Sequence, residues 1–205
     1  MKTVFVNPER CIGCRQCEFA CAVAHSDSRD PVAAMFEHPL PRSRIHVAPG
    51  AAFNSSFPVR CRHCDPAPCE RVCPTGAIHR EPGHGLVLIE PKKCIACAMC
   101  AMVCPFDAVS FHLQVNGQAP RTVAVKCDGC VDRVSQGLQP ACVEVCKVNA
   151  LVYGELNDLV KQGQQRQAAL VLAAAAAADE QAAPVPEHVK AWRAWGPSAA
   201  AAREV

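Results

Sequence analysis

The stretch Cys94-Ile95-Ala96-Cys97-Ala98-Met99-Cys100-Ala101-Met102-Val103-Cys104-Pro105 constrains this chain more than any other. Its thiols are spaced C-x2-C-x2-C-x3-C-P. With that spacing three thiolates take three irons of one [4Fe–4S] cubane and the fourth reaches a second cluster. Two residues between ligands let one tight loop wrap the cube. Small residues such as Ala96 and Ala98 let backbone N–H groups come close to the sulfides, and Pro105 ends the loop. Composition agrees with a fold held by metal. Sixteen of the 205 residues are Cys and only 5% are aromatic, so metal-binding free energy is expected to act as folding free energy.

The same unit recurs. The first block is Cys11, Cys14, Cys17 and Cys21, preceded by a short strand signal at Val4-Phe5-Val6. The run from Val6 to Cys14 parallels the run from Ile89 to Cys97, which makes an internal repeat. Ala22 follows Cys21 where Pro is usual, so helix is expected through Val23 and Ala24. The second block is Cys61, Cys64, Cys69 and Cys73, with Asp65-Pro66-Ala67-Pro68 stretching its middle spacing. Leu86-Val87-Leu88-Ile89 reads as a return strand, which makes the segment from Cys73 to Cys94 a hairpin.

The fourth block is Cys127, Cys130, Cys142 and Cys146. Alone it would also suit zinc. Val123-Ala124-Val125-Lys126-Cys127 echoes Phe57-Pro58-Val59-Arg60-Cys61, however, with a basic residue just before the first ligand. Cys146-Lys147-Val148-Asn149-Ala150 echoes the Cys-Pro-x-x-Ala steps after Cys73 and Cys104. The strand Ala150-Leu151-Val152-Tyr153 is expected to close the core.

The remaining segments carry less. Residues 22–56 read as an inserted loop with one short strand near Ile45-His46-Val47, which either covers a cluster or docks a partner. From Ala168 to Ala178 the chain is uninterruptedly apolar and Ala-rich, which favours helix. That run is shorter than the ~20 residues a bilayer requires. Pro184-Val185-Pro186 should stop it, and a short turn beyond would set Trp192 and Trp195 on one side. His63 lies inside a cluster loop and is expected to face solvent, the alternative being a hydrogen bond to a sulfide that tunes its cluster's potential, while Met99 and Met102 are expected to pack over cubanes. No GxGxxG, P-loop or nucleophile–base pair is present, so no catalytic residue is assigned. The N-terminus carries no signal core, which points to the cytoplasm, where thiols stay reduced. The formal charge of +2 gives no nucleic-acid footprint. Four oxidised cubanes at about −2 each would take the holoprotein to roughly −6.

Four blocks, with a stretched second and a long gap in the fourth, resemble the four-cluster ferredoxin-type subunits of anaerobic redox complexes. These include the iron–sulfur subunits of dimethyl sulfoxide reductase, formate dehydrogenase and the formate–hydrogen lyase system. The resemblance covers about residues 1–155. Within that family, Arg10–His25 and Cys61–Cys73 are most similar to the electron-transfer partner of nickel–iron carbon monoxide dehydrogenase. The resemblance implies an α+β fold of two ferredoxin-like modules, each holding two [4Fe–4S] clusters; the tail at 156–205 lies beyond it and is expected to be helical from its Ala-rich composition. The second and third blocks, about 57–113, would be nested inside the first and fourth.

Spacing alone leaves the pairing open between that arrangement and one joining first with second and third with fourth. The resemblance implies the nested sets: Cys11, Cys14, Cys17 and Cys146; Cys21, Cys127, Cys130 and Cys142; Cys61, Cys64, Cys69 and Cys104; Cys73, Cys94, Cys97 and Cys100. The implied function is a non-enzymatic relay of low-potential electrons. It would run from carbon monoxide dehydrogenase to a hydrogenase or a flavin-dependent oxidoreductase, with any membrane contact made through a partner. The alternatives are a subunit of a hydrogenase or molybdenum formate dehydrogenase and, more remotely, a zinc-stapled interaction module.

Overall fold

The computed structural model describes residues 2–50, 55–114 and 120–179. The chain divides into two compact units, residues 1–156 and 157–205. In the first, strand β1 (Lys2–Val6) leads into α1 (Gln16–Ala24), followed by β2 (His46–Pro49) and β3 (Ser56–Val59). Next come α2 (Pro68–Arg71), β4 (Ile78–Arg80), β5 (Val87–Ile89) and α3 (Met99–Met102). Strands β6 (Ser110–Gln114) and β7 (Arg121–Val125), helices α4 (Val131–Ser135) and α5 (Ala141–Glu144), and β8 (Leu151–Glu155) complete it.

The helices serve the cysteines. Cys17 and Cys21 lie on α1, Cys69 on α2, Cys100 on α3 and Cys142 on α5. Apart from α1 these are single turns, too short to persist alone. The strands form four antiparallel ribbons of two: β1 with β8, β2 with β3, β4 with β5 and β6 with β7. An isolated two-stranded ribbon is marginal in water, so each depends on what it packs against.

Two ribbons join segments that flank cysteine blocks. β4 and β5 form the expected hairpin, with Ile78 opposite Ile89, and bring the second and third blocks together. β1 and β8 pair from Lys2 opposite Glu155 to Val6 opposite Leu151, and Asn7 N–H donates to Ala150 O at 2.8 Å. That closure brings the first block to the fourth. Alternation in β1 buries Val4 and Val6. These join Ile45, Val47 and Leu151 around Cys17, Cys21 and Cys142. A second group, Ala67, Ala77, Ile78, Val87, Val123 and Ala124, surrounds Cys94 and Cys100. A third, smaller group comprises Cys61, Ala108 and Cys127.

The insertion contributes its expected strand as β2, and Ile45 and Val47 pack on the first block. It therefore covers the Cys17–Cys21 region. In the second unit, α6 runs over Leu156–Asp179. It begins well before Ala168, because the polar residues ahead of the Ala run are themselves good helix formers. Pro184, Pro186, Trp192 and Trp195 lie outside the described residues. Among the described residues no helix is long and apolar enough to cross a membrane.

Val123 is 0% exposed at the centre of the second group. Val123→Ala is expected to destabilise the loaded protein by about 2 kcal/mol. Thr122→Ala, at an exposed neighbour on the same strand, should stay within about 0.5 kcal/mol. Anaerobic urea unfolding of the loaded protein compares the two.

Candidate metal centres

All four blocks fold their first loop the same way. The residue just before the second cysteine has a positive φ in each: Gly13 (70°), His63 (51°), Ala96 (55°) and Gly129 (73°). This turn aims a backbone N–H back at the first thiol. His63 N donates to Cys61 Sγ, Ala96 N to Cys94 Sγ and Gly129 N to Cys127 Sγ, each at 3.4 Å. In the first block the Ser56 hydroxyl lies 3.1 Å from Cys11 Sγ. The exit from the block repeats too. Gly76, Asp107 and Asn149, each three residues after the last cysteine, have φ of 62°, 47° and 53°. The first block departs here, since α1 continues past Cys21.

For Ala96, Ala98, Arg15 and His63 the left-handed conformation costs roughly 1–2 kcal/mol apiece. Such strain persists only where the surroundings over-determine it, and here it points N–H groups at sulfur.

The cysteines gather in groups. One apolar cavity is lined by Cys73, Cys94, Cys97 and Cys100, with Ile78, Ile89 and Met99. Cys61 and Cys104 pack together, and both act electrostatically on Cys69. Cys21 acts likewise on Cys130 and Cys142. Cys11 and Cys14 act on Cys17, and Cys11 and Cys146 pack against the same apolar group. Some of these groups also neighbour one another. Cys69 acts on Cys100, Cys61 feels Cys127, and Cys17, Cys21 and Cys142 share one core. Cys14 and Cys97 are exposed, whereas Cys61, Cys127, Cys130 and Cys142 are buried.

The donor set fits iron–sulfur clusters. All sixteen cysteines are free thiols. Burial pushes Cys17 and Cys130 up to about 12 and Cys142 well above the ordinary thiol value. A thiolate in these places is costly unless it is bonded to metal. Cys21 runs the other way. Burial raises it, but the hydrogen bond and charge of His25 and the Arg44 N–H at 3.3 Å bring it below that value.

Three side chains carry no signal in the sequence. His25 Nδ1 donates to Cys21 O at 2.7 Å, and its Nε2 donates to Asp128 Oδ1 at 3.1 Å. Burial lowers His25, but Asp128 and Cys21 outweigh it and raise the imidazole to about 10. Both ring nitrogens then donate, as an imidazolium does. Asp128 also pairs with Arg44. Burial alone would raise the Asp128 carboxyl, yet His25, Arg44 and the Cys130 N–H hold it well below the carboxylate range. His25 and Asp128 are 103 residues apart, so no local pattern marks them as partners.

His63 is a correction. It is 5% exposed, not solvent-facing. Its Nδ1 accepts the Val87 N–H at 3.1 Å, because that strand-start donor needs a partner. Burial, then the charges of Lys126 and Arg60, lower the imidazole to about 3, so it is neutral. Met102 is another. It is 78% exposed, whereas Met99 lines the Cys73–Cys94 cavity.

Known proteins share these features. Residues 52–156 match the model of a 4Fe-4S dicluster domain, and residues 4–21 that of a 4Fe-4S binding domain. The chain is 41% identical over 157 residues to an iron-sulfur protein of Rhodospirillum rubrum, covering 72% of this chain and 79% of that one. It is 34% identical over 178 residues to the electron transport protein HydN of Escherichia coli, covering 82% and 97%. It is 33% identical over 170 residues to a subunit of the anaerobic dimethyl sulfoxide reductase of Escherichia coli, covering 77% and 75%. Taken with the sixteen cysteines, these matches show a cofactor content of four [4Fe–4S] clusters.

Loaded protein is expected to hold about sixteen irons per chain and no stoichiometric zinc. Stripping the iron should abolish the cooperative thermal transition. A colourless, chelated protein that still melts cooperatively would contradict this. Ala96→Gly should load normally, since Gly reaches positive φ freely. Ala96→Val should lose the iron of one cluster, about four atoms, because a β-branched residue resists that conformation. Iron and acid-labile sulfide assays read both.

Proposed function

We propose that this chain, which belongs to the 4Fe-4S dicluster family of iron–sulfur electron-transfer proteins, takes low-potential electrons from a carbon monoxide dehydrogenase. It passes them to a hydrogenase or a flavin-dependent oxidoreductase. The observation that supports the relay is the set of neighbouring cysteine groups, two of which include an exposed member, Cys14 and Cys97. A wire with two ends needs a donor and an acceptor. Similarity to electron transport proteins and to a reductase subunit supports an oxidoreductase partner. The likeness of Arg10–His25 and Cys61–Cys73 to the partner of carbon monoxide dehydrogenase supports the specific donor.

The ligand sets in this reading are the nested ones. Cys73, Cys94, Cys97 and Cys100 hold one outer cluster, and Cys11, Cys14, Cys17 and Cys146 the other. The central pair is held by Cys61, Cys64, Cys69 and Cys104 and by Cys21, Cys127, Cys130 and Cys142. When bound, each cluster supplies a one-electron carrier. The protein's own part is to hold the thiolates, aim N–H groups at them and keep water from the central sets. No side chain is assigned to substrate chemistry. The chain therefore acts as a subunit, in the cytoplasm, and meets the membrane only through a partner. A second reading makes it a subunit of a hydrogenase or molybdenum formate dehydrogenase complex, by analogy with the relative that is a chain of a dimethyl sulfoxide reductase.

Mixing the reduced-thiol, cluster-loaded protein with carbon monoxide dehydrogenase under CO should bleach its visible absorbance rapidly. Formate dehydrogenase with formate should not. The reverse result would move the protein to the second reading. The pairing is checked by iron counts. The double variant Cys73→Ala with Cys97→Ala should lose about four irons, and Cys97→Ala with Cys104→Ala about eight. If first paired with second and third with fourth, the former would also lose about eight.

A further inference from the structure

Two cations lie buried at the centre of the first unit. Arg60 is 2% exposed and Lys126 is 4% exposed. Each stands one residue before the first cysteine of its block, Arg60 before Cys61 and Lys126 before Cys127. Their reaches cross. Arg60 Nη1 donates to Val4 O at 2.9 Å, while Nη2 extends to Cys127 Sγ at 3.9 Å, in the other block. Lys126 Nζ donates to Val87 O and to Cys127 O. Burial raises the Cys61 and Cys69 thiols, and the charge of Lys126 is the largest influence opposing it.

Neither cation has a carboxylate partner among the described residues. Arg60 Nε also lacks any acceptor there. An unpaired buried cation costs several kcal/mol, and a structure retains it only beside a compensating anion. The anions at this place are the thiolates of the two central sets.

We propose that Arg60 and Lys126 set the reduction potentials of the two central clusters, making both easier to reduce than their thiolates alone would leave them. This rests on the ligand sets given under the proposed function. An oxidised cluster with its four thiolates carries about −2, and one more electron makes it about −3. A fixed cation favours the more negative state in proportion to that added charge, and burial keeps solvent from screening it. The need is acute here because Cys61 and Cys127 belong to one buried group, so two reduced neighbours would repel. Placing each cation on one block with its reach toward the other couples the pair. The middle of the wire is thereby kept from standing as an uphill step between its ends.

The test uses the full, anaerobically loaded chain in four variants. Arg60→Gln and Lys126→Gln remove a charge. Arg60→Lys and Lys126→Arg keep it. Iron content is counted first, and equilibrium redox titrations are then followed by electron paramagnetic resonance. Each Gln variant should hold about sixteen irons. At least one central couple should shift toward the oxidised form by about tenfold or more, which is about 59 mV for one electron. The charge-keeping variants should stay close to the parent. A fully loaded Gln variant with all four midpoints unmoved overturns the proposal for that residue. If the Gln variants fail to load while the charge-keeping ones load fully, the cations serve assembly and the proposal fails. A parent short of four clusters, or a pairing contradicted by the double-variant iron counts, would instead fell the underlying relay reading.

Discussion

The bond between iron and cysteine thiolate is what the rest of this structure leans on. The ribbons contain two strands each, and most helices are one turn long. Neither kind of element is stable by itself. The apolar groups are built largely from Val and Ala and reach closure only by including cysteines. Arg15, His63, Ala96, Ala98 and Cys130 in the cluster loops, and Asp107 and Asn149 just after them, hold left-handed backbone, and several thiols are too deeply buried to ionise readily. Each of these features is unfavourable without metal. They share one location, around the sulfurs, so a single set of bonds offsets them together. Folding and cluster loading are then one process, and the thin aromatic content reflects a chain with little need for a conventional core.

A second constraint follows from the first. Clusters with their thiolates bring negative charge into the interior, and that charge must be balanced locally. The protein does this with hydrogen-bond donors at short range, the N–H groups of the left-handed turns, and with full charges slightly farther out. Around Cys21 and Cys130 the balance is a network: Arg44 and His25 both meet Asp128, whose carboxylate in turn accepts the Cys130 N–H. That network ties the first block to the fourth with polar contacts where β1 and β8 tie them with a ribbon. Around Cys61 and Cys127 stand two buried cations, Arg60 and Lys126, with no carboxylate partner among the described residues.

The parts of the fold legible in the sequence are those fixed by short-range rules. Cysteine spacing dictates a local loop, and the left-handed turns before Cys14, Cys64, Cys97 and Cys130 show one geometry recurring under one spacing. Strand β1, the β4–β5 hairpin, β8 and the run of α1 past Cys21 are all visible as local apolar or breaker signals. Spacing gives no sign of the β1–β8 ribbon, because its strands lie nearly the whole first unit apart. His63 reads as a surface histidine, since the Val87 N–H that claims it is 24 residues away. His25 and Asp128 are hidden for the same reason. The early start of α6 is hidden too, because its first turns are polar and an apolar run marks only its later part.

The departure of the first block from its repeat has a consequence for the two ends of the series. Where the other blocks leave their last cysteine through a left-handed turn, α1 continues from Cys21 to Ala24 and delivers His25 to Asp128. The inserted segment then lies over that helix, with Ile45 and Val47 in the core beside Cys17. At this end the exposed apolar side chains near the thiols are Ile12 and Phe19, with Phe19 set rigidly on a nine-residue helix. At the other end Cys97 is bordered by Ile95, and by Met99 and Met102 on a single turn. Methionine is flexible and polarizable and adapts to differently shaped surfaces, whereas an aromatic on a longer helix presents one fixed shape. A relay must accept electrons from one protein and surrender them to another. Two ends built from the same repeat are thus finished with different exposed side chains, an aromatic on a longer helix at one and methionines on a single turn at the other.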